Sequence, residues 1–230
     1  MLHVSARTLR LLIGLFLYAV GIVMTINANL GLSPWDVFHQ GLAQKFGITM
    51  GQASIAVGGM IVVLNWVLGE RIGWSTLANI LFIGLFLDLL MIRHVIPSFD
   101  SFIPSLALML LGLLVIGLAT YFYLGVGLGS GPRDGLMVAL TKKTGKSVRL
   151  IRNSIELAAL LVGYILGGHV GIGTVIMALT TGYFVQFVFR IFNFEVKQIQ
   201  HRFIDDDIRY VRQLLRKDEL LESGVRETEQ

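Results

Sequence analysis

The sequence predicts an all-α polytopic membrane protein with six transmembrane helices as two inverted three-span repeats, each with a short re-entrant or interfacial helix. Three observations predict this fold class. Hydrophobic residues make up 54% of the 230 residues, somewhat above the ordinary range of globular domains, and charged residues only 15%, well below it. Several apolar runs reach the roughly 18 to 20 residues that cross a hydrocarbon core of about 30 Å. A pattern of glycine, proline and aspartate also occurs twice at a fixed spacing.

The predicted spans are apolar runs that contain frequent glycine, as transmembrane helices allow. They cover residues 9–26, 51–68, 72–92, 106–124, 151–167 and 172–194. The first run follows His3, Arg7 and Arg10 and so resembles a signal peptide. It is longer than the usual h-region of a signal peptide, and it has a counterpart in the middle of the chain. We therefore expect it to be a retained first helix.

The chain contains an internal repeat at an offset of 98 positions. Residues 12–89 align with residues 110–187 without a gap, and 17 of the 78 pairs are identical. The identical pairs are mainly turn, cap and close-packing residues, which shared hydrophobicity does not explain. They include Gly31/Gly129, Pro34/Pro132, Asp36/Asp134, Gly47/Gly145, Gly69/Gly167, Gly73/Gly171, Thr76/Thr174 and Gly84/Gly182. The predicted organisation is a first repeat over 1–96, a second over 97–194 and an amphipathic tail over 195–230.

The distribution of basic residues predicts the orientation of the repeats. Three crossings in each repeat would make the second repeat enter the membrane from the opposite side. The segment 125–150 carries Arg133, Lys142, Lys143, Lys146 and Arg149, whereas the equivalent segment 27–50 carries only Lys45. The positive-inside rule then places both termini and the tail in the cytoplasm.

A short helix is predicted to begin at Ser33-Pro34-Trp35-Asp36. Ser33 suits the N-cap, Pro34 the first helical position, and Asp36 the third position in an exchange that resembles a capping box. In the copy, Gly131 is the cap and Pro132, Arg133 and Asp134 follow. A helix of about 12 residues covers only about half of the hydrocarbon thickness. On the first helix the apolar side is predicted to hold Val37, Phe38, Gly41, Leu42 and Phe46, with His39, Gln40, Gln44 and Lys45 opposite.

Two interpretations of the short helices remain open. They can lie flat in the interface with Trp35 or Arg133 at headgroup level, the aspartates acting only as caps. Alternatively they are re-entrant, with their N-terminal tips aimed at the midplane, as in many inverted-repeat transporters. The paired tips and their glycine-rich lead-ins favour the re-entrant arrangement, because irregular backbone at that depth must line a cavity. Trp35, Trp66 and Trp74 lie near span ends, where an aromatic belt would place them.

The candidate substrate-binding residues are Ser33, Asp36, Arg133 and Asp134 at the two tips. Helix N-termini favour anions, but the two aspartates occupy the same donors, so a zwitterion, a cation or a proton-coupled solute is expected. Asp88 is a candidate for proton coupling, or a helix-end group that pairs with Arg93 or interfacial water. Arg152 and Glu156 are expected to pair with each other at i, i+4.

The sequence excludes several classes of function. It has no cysteine, its histidines show no metal-ligand spacing, and it contains no P-loop or nucleophile elbow, so we expect no metal site, no cofactor and no enzymatic activity. The basic residues are located at span ends and indicate orientation, not nucleic-acid binding. The expected partners are the lipid bilayer and an unidentified small solute, and a homo-oligomer is compatible with the sequence.

At GLSPWDVFHQGLA and its copy GLGSGPRDGLMVAL, the chain resembles the YczE/YyaS/YitT family of bacterial integral membrane proteins. The resemblance covers residues 11–194 and implies an inner-membrane protein, but it carries over no site residues. We predict a small secondary transporter that works by alternating access between the repeats. The alternative is a non-transporting scaffold or accessory protein that acts through its cytoplasmic tail.

Overall fold

The computed structural model describes residues 2–196, 199, 201–209 and 212–213, and these residues contain α-helices and no β-strand. The main helices are α1 (Leu2–Asn27), α2 (Pro34–Phe46), α3 (Met50–Val67), α4 (Trp74–Ile92), α5 (Phe102–Leu124), α6 (Pro132–Thr144), α7 (Val148–Ile165) and α8 (Ile172–Ile191). Residues 204–209 form a further short helical segment in the tail. The all-helical prediction is confirmed for the described residues.

Five of these helices, α1, α3, α4, α5 and α8, are long and apolar enough to cross a membrane. The sixth predicted span corresponds to α7. This helix is 18 residues long, as is α3. Its composition is more polar, because Arg149, Arg152 and Glu156 lie within it. The structure thus supports a multi-pass membrane protein with five apolar spans, and α7 does not qualify by composition.

The centre of the molecule is the packing of α1 against α5. Leu15, Ala19 and Val23 on α1 are fully buried, and their spacing of four places them on one face of the helix. Gly21 allows the close approach of the two backbones, because a Cβ there would lie 2.8 Å from the carbonyl oxygen of Gly112. Small residues at such contacts replace the missing hydrophobic driving force between helices in lipid.

Each short helix packs mainly on two longer ones. Helix α2 contacts α7 and α3, and α6 contacts α3 and α7. On the α2 side the contact is backbone to backbone, since a Cβ on Gly163 would lie 2.5 Å from the Phe38 nitrogen. The short helices are therefore held by the rest of the bundle.

The lead-in to each short helix bonds to the start of a distant helix. The Gly173 N–H donates to the carbonyl of Leu30 over 2.6 Å, and the Ser75 N–H donates to the carbonyl of Leu128 over 3.0 Å. Gly31, next to Leu30, has φ +115° and a neighbouring backbone against its α-carbon, so only glycine fits this position. These bonds fix the irregular backbone before α2 and α6.

The described part of the tail lies on the protein's own loops. The Ile204 N–H donates to the carbonyl of Ile72 over 3.0 Å, and the Arg202 N–H donates to that of Gly127 over 2.8 Å. Arg71 contacts the carboxylates of Asp205 and Asp206. The remainder of the predicted amphipathic tail, including Val211, Leu215 and residues 214–230, lies outside the described residues.

The interhelical segments form two separate groups of contacts. In one group, the tail contacts residues 71–74 and 127, and Arg10 lies 3.5 Å from the carbonyl oxygen of Tyr121 near the end of α5. In the other, Asn27 donates to the carbonyl of Ile96, and the Gln40 side chain accepts from the His169 N–H. The two groups lie at alternating ends of successive long helices.

Candidate functional site

The N-terminal tips of α2 and α6 open onto one cavity of about 360 Å³. Ser33, Pro34 and Asp36 line it from α2, and Pro132, Arg133 and Asp134 line it from α6. The remaining walls come from the six long helices and include apolar side chains such as Ile22, Ile61 and Ile116. A concave cavity that combines apolar walls with convergent polar groups is typical of a small-molecule site.

The start of α2 has the N-cap that the sequence predicts. Ser33 has extended backbone angles, and its hydroxyl oxygen accepts from the Asp36 N–H over 3.3 Å. The second half of the predicted exchange differs from a capping box, because the Ser33 hydroxyl donates to the Asp36 carboxylate itself. Asp36 is only 5% exposed. Ser33 and Asp36 therefore bond to each other twice, and their polar groups at this helix start already have partners.

The start of α6 is less occupied. Gly131 is the N-cap, as predicted, and it provides no side-chain hydrogen bond to the first turn. Asp134 lies against the Tyr123 hydroxyl and the Gly131 backbone. The carbonyl of Pro132 accepts from the Asn65 side chain on α3 over 2.8 Å, which fixes the tip. Asn65 is 4% exposed and its own oxygen has no hydrogen-bond partner within the described part of the chain.

Arg133 and His39 join the two tips. The Arg133 guanidinium lies over the Trp35 indole, 4.5 Å from the ring centroid. One of its nitrogens is 3.5 Å from His39 Nε2, and the other ring nitrogen of His39, Nδ1, is 3.6 Å from an Asp36 oxygen. In the described residues Arg133 forms no ion pair with a carboxylate. A contiguous Asp36–His39–Arg133 array thus connects α2 to α6.

The prediction for the polar face of α2 was wrong for His39. This side chain is 2% exposed, and Nδ1 has no hydrogen-bond partner among the described residues. It faces the cavity because α2 packs on both α3 and α7, which leaves little of its surface open. The only sequence signal was its spacing of three from Asp36, which places both on one face. Trp35 likewise lines the cavity, whereas Trp66 is 70% exposed.

Arg152 and Glu156 complete the charged lining of the cavity from α7. Their side chains pair over 3.0 Å, and the predicted i, i+4 interaction is confirmed. The pair neutralises two charges on the most polar of the long helices. Tyr18 and Tyr123, which sequence analysis did not single out, add hydroxyl groups from α1 and α5.

Asp88 lies apart from this cluster. Its carboxylate accepts from the Thr49 hydroxyl over 2.5 Å and from the Gly51 N–H over 2.8 Å. It thereby caps the start of α3, a partner that differs from the expected Arg93. The structure therefore brings Ser33, Asp36, Arg133 and Asp134 together and leaves Asp88 outside the cavity lining, so its proton-coupling role stays a prediction.

Comparison with known sequences identifies the family. Residues 5–190 match the model of a family of unknown function, DUF6198. This chain belongs to that family. It is 39% identical over 178 residues to the uncharacterised membrane protein YczE of Bacillus subtilis, covering 76% of this chain and 81% of that protein. The resemblance read from the paired tips is confirmed for YczE and for YyaS, the last relative described below.

Two further relatives have similar coverage. An uncharacterised protein of Haemophilus influenzae is 34% identical over 181 residues, or 79% of this chain and 82% of that protein. The uncharacterised protein YyaS of Bacillus subtilis is 30% identical over 168 residues, or 71% of this chain and 83% of that protein. No solved structure matches this chain.

Proposed function

We propose that this protein is a small secondary transporter of the bacterial inner membrane, which moves a small polar solute by alternating access between two inverted repeats. The observation that carries the proposal is the single cavity at which two short helices begin, one from each repeat. Discontinuous helices around a central site are a recurring arrangement in inverted-repeat transporters.

The helix boundaries support the duplication. Shifting α2 (Pro34–Phe46) and α3 (Met50–Val67) by 98 positions gives the bounds of α6 (Pro132–Thr144) and α7 (Val148–Ile165). The lead-in bonds obey the same offset, because Leu30 and Gly173 correspond to Leu128 and Ser75. On this basis residues 1–96 and 97–194 are the two repeats and 195–230 is a cytoplasmic tail.

The same correspondence makes α7 the sixth span. It has the length of its counterpart α3, and the paired Arg152 and Glu156 lessen the cost of charges at membrane depth. Both side chains line the cavity instead of standing alone in lipid. Six crossings then place both termini on one side of the membrane.

The two groups of loop contacts support an inverted arrangement. Gln40, at the middle of α2, contacts the segment around His169, and Lys142, near the end of α6, pairs with Glu70 over 2.7 Å. Glu70 precedes the loop that contacts the tail. The two short helices therefore extend from the shared cavity toward opposite sides, as re-entrant helices would. The basic segment 125–150 makes the tail side cytoplasmic.

Access of the cavity to both sides tests the proposal, and the chain has no cysteine to interfere. Ser54→Cys places a thiol in the cavity wall, and a membrane-impermeant maleimide is applied to intact cells and to inverted vesicles. A transporter is expected to react from both sides. Leu85→Cys, whose parent side chain is 49% exposed on the apolar surface of α4, is the matched control and is expected to react from neither.

A cross-link that closes one entrance of the cavity makes the test of alternating access more specific. The Thr76 hydroxyl donates to the carbonyl of Ser130 where α4 meets the lead-in to α6, so Thr76→Cys with Ser130→Cys should cross-link there. Cross-linking is expected to abolish labelling of Ser54→Cys from the cytoplasmic side and to preserve it from the outer side. Labelling from one side only, before any cross-linking, would contradict transport.

The alternative, a scaffold acting through its tail, predicts a different outcome. A scaffold needs no two-sided access to the cavity, and it should lose its effect in the cell when residues 195–230 are deleted. The described tail acids contact Arg71, Trp74 and Arg202 of the same chain. These contacts within the chain give the tail acids a role that needs no partner protein. They therefore favour the transporter over the scaffold.

A further inference from the structure

We propose that the site at the tips binds the carboxylate group of a small solute together with one proton, the carboxylate on Arg133 and the proton on His39. This inference rests on the proposed transport function and names its substrate class and coupling ion. It is carried by the geometry of the Asp36–His39–Arg133 array, in which the buried His39 ring turns an unprotonated nitrogen toward Arg133.

The geometry assigns the hydrogen positions in the array. Arginine only donates hydrogen bonds, so the contact of 3.5 Å between Arg133 and His39 Nε2 requires Nε2 to be the acceptor. The neutral ring then carries its hydrogen on Nδ1, which faces an Asp36 oxygen at 3.6 Å. His39 is 2% exposed and Nδ1 has no hydrogen-bond partner in the described chain. The ring can therefore gain one proton, at Nε2.

A proton on Nε2 and a solute carboxylate act on the same guanidinium. Once Nε2 is protonated, it no longer accepts from Arg133, and two positively charged donors face each other. Arg133 is then free to donate to a carboxylate. Conversely, a carboxylate that takes the Arg133 donors leaves Nε2 available for a proton. Each ligand favours the other, and this coupling is reciprocal by thermodynamic linkage.

Several features of Arg133 point to a carboxylate. Its guanidinium has no carboxylate partner among the described residues, although it lies in a cavity that also contains acids. One face is covered by the Trp35 ring, so the edge with its parallel N–H groups stays available for a planar, bidentate acceptor. Gly131 leaves the first turn of α6 without a side-chain cap, and its N–H groups favour a negative charge.

The surrounding charges explain why a proton must accompany the anion. Asp36 faces His39 from its own helix, and Asp134 lies at the α6 tip. On α7, Arg152 and Glu156 neutralise each other, and the hydroxyls of Tyr18 and Tyr123 contribute no charge while protonated. With neutral His39, a carboxylate would add a third negative charge beside one unpaired arginine. A proton on His39 returns the net charge of these groups to its value before the carboxylate binds.

The test uses three probes with the same three-carbon skeleton: propionate, alanine and propylamine. Trp66→Phe with Trp74→Phe leaves Trp35, stacked on Arg133, as the only tryptophan. Its fluorescence is titrated with each probe between about pH 6 and 8, a range that includes the ordinary titration of histidine. Proton uptake on mixing is recorded with a pH indicator in weakly buffered detergent solution.

Propionate is expected to bind with uptake of close to one proton per molecule bound. Its affinity should fall about tenfold per pH unit at the alkaline end of the range, because binding requires the protonated ring. Propylamine should leave the fluorescence unchanged. Arg133→Lys keeps the positive charge but removes the planar guanidinium that can donate two parallel hydrogen bonds. We therefore expect propionate affinity to drop at least about tenfold. Arg149→Gln, an exposed residue of the same positive charge outside the cavity, is the matched control.

The variant His39→Gln tests carboxylate binding and proton uptake separately. Glutamine cannot take up a proton in this range, so propionate binding should persist with little pH dependence and no proton uptake. Absence of binding by both propionate and alanine, carboxylate binding without proton uptake, or preferential binding of propylamine would overturn the inference. The labelling of Ser54→Cys from both sides tests transport itself, and its outcome does not depend on any of these binding results.

Discussion

Single residues decide where the two short helices begin. Proline supplies a fixed φ and lacks the N–H that a first helical position leaves unused, so Pro34 and Pro132 each start a helix. The aspartate two positions later is held differently in the two copies, by Ser33 in one and beside Tyr123 in the other. The same motif therefore gives a helix start with a side-chain cap in one copy and a helix start without one in the other.

Replacing Asn65 by leucine is expected to destabilise the protein. The Asn65 side chain donates to the Pro132 carbonyl at the α6 tip over 2.8 Å. Hydrogen bonds between membrane helices contribute about 0.6 kcal/mol on average and up to about 1.7 kcal/mol, and a loss of this size is expected in unfolding by denaturant from mixed micelles. Asn153→Leu, at an exposed position on α7, is the control. Equal stability of the two variants would show that Asn65 does not hold the tip.

Replacing Gly163 by alanine is expected to push α2 away from α7. The new Cβ would lie 2.5 Å from the Phe38 nitrogen and 2.6 Å from its α-carbon, and backbone cannot move aside as a side chain can. Overpacking of this kind costs about 1 to 3 kcal/mol in the free energy of unfolding. Gly182→Ala adds a methyl group with nothing within 4 Å and should be neutral or slightly stabilising. A similar loss in both variants would contradict the close contact.

At the scale of elements, the tail joins two loops that belong to different proposed repeats. Arg71 precedes α4 and Gly127 precedes α6, and residues 202–206 bond to both. The Phe203 N–H and the Arg71 guanidinium lower the pKa of the Asp206 carboxyl, and the two aspartates raise that of Arg71. A lowered carboxyl pKa means that the contact is present above the ordinary pKa and is lost only as pH falls through the lower value. The tail contact should therefore be insensitive to pH near neutrality.

Asp205→Asn with Asp206→Asn is expected to release the tail from the Arg71 loop. Removing both carboxylates leaves Arg71 without its two ion pairs. Trypsin should then cleave at Arg202 or Arg209 faster than in the unmodified protein, and the rate should depend less on salt, because screening acts on exposed ion pairs. Asp100→Asn, an exposed acid before α5, is the control. Unchanged cleavage would show that the backbone hydrogen bonds suffice.

At the scale of the whole molecule, the two short helices should point to opposite sides of the membrane. Gln40→Cys on α2 and Lys142→Cys on α6 are the reporters, since their side chains contact separate groups of loops. An impermeant maleimide should label Gln40→Cys in intact cells and Lys142→Cys in inverted vesicles only. Labelling of both positions from one side would contradict the inverted repeats, whatever the substrate.

Most of the fold could be predicted because its signals are local or periodic. The caps at Ser33 and Gly131, the spans and the i, i+4 pair of Arg152 with Glu156 depend on residues a few positions apart. The predicted sixth span, α7, stays a prediction, since its charged residues make it more polar than the five apolar helices. The 98-residue offset also anticipated equal helix bounds, because turn and cap residues mark where helices start and end.

The sequence by itself determined that this is a helical membrane protein with two similar short helices that begin at proline. Only the tertiary structure decided that both helices begin at one cavity, that His39 is buried there between Asp36 and Arg133, and that Asp88 caps α3 instead. The physical reason is the distance along the chain between the residues that interact. Hydropathy and capping are set by neighbours along the chain, whereas the burial and the partners of a charged side chain depend on helices that are about a hundred residues apart.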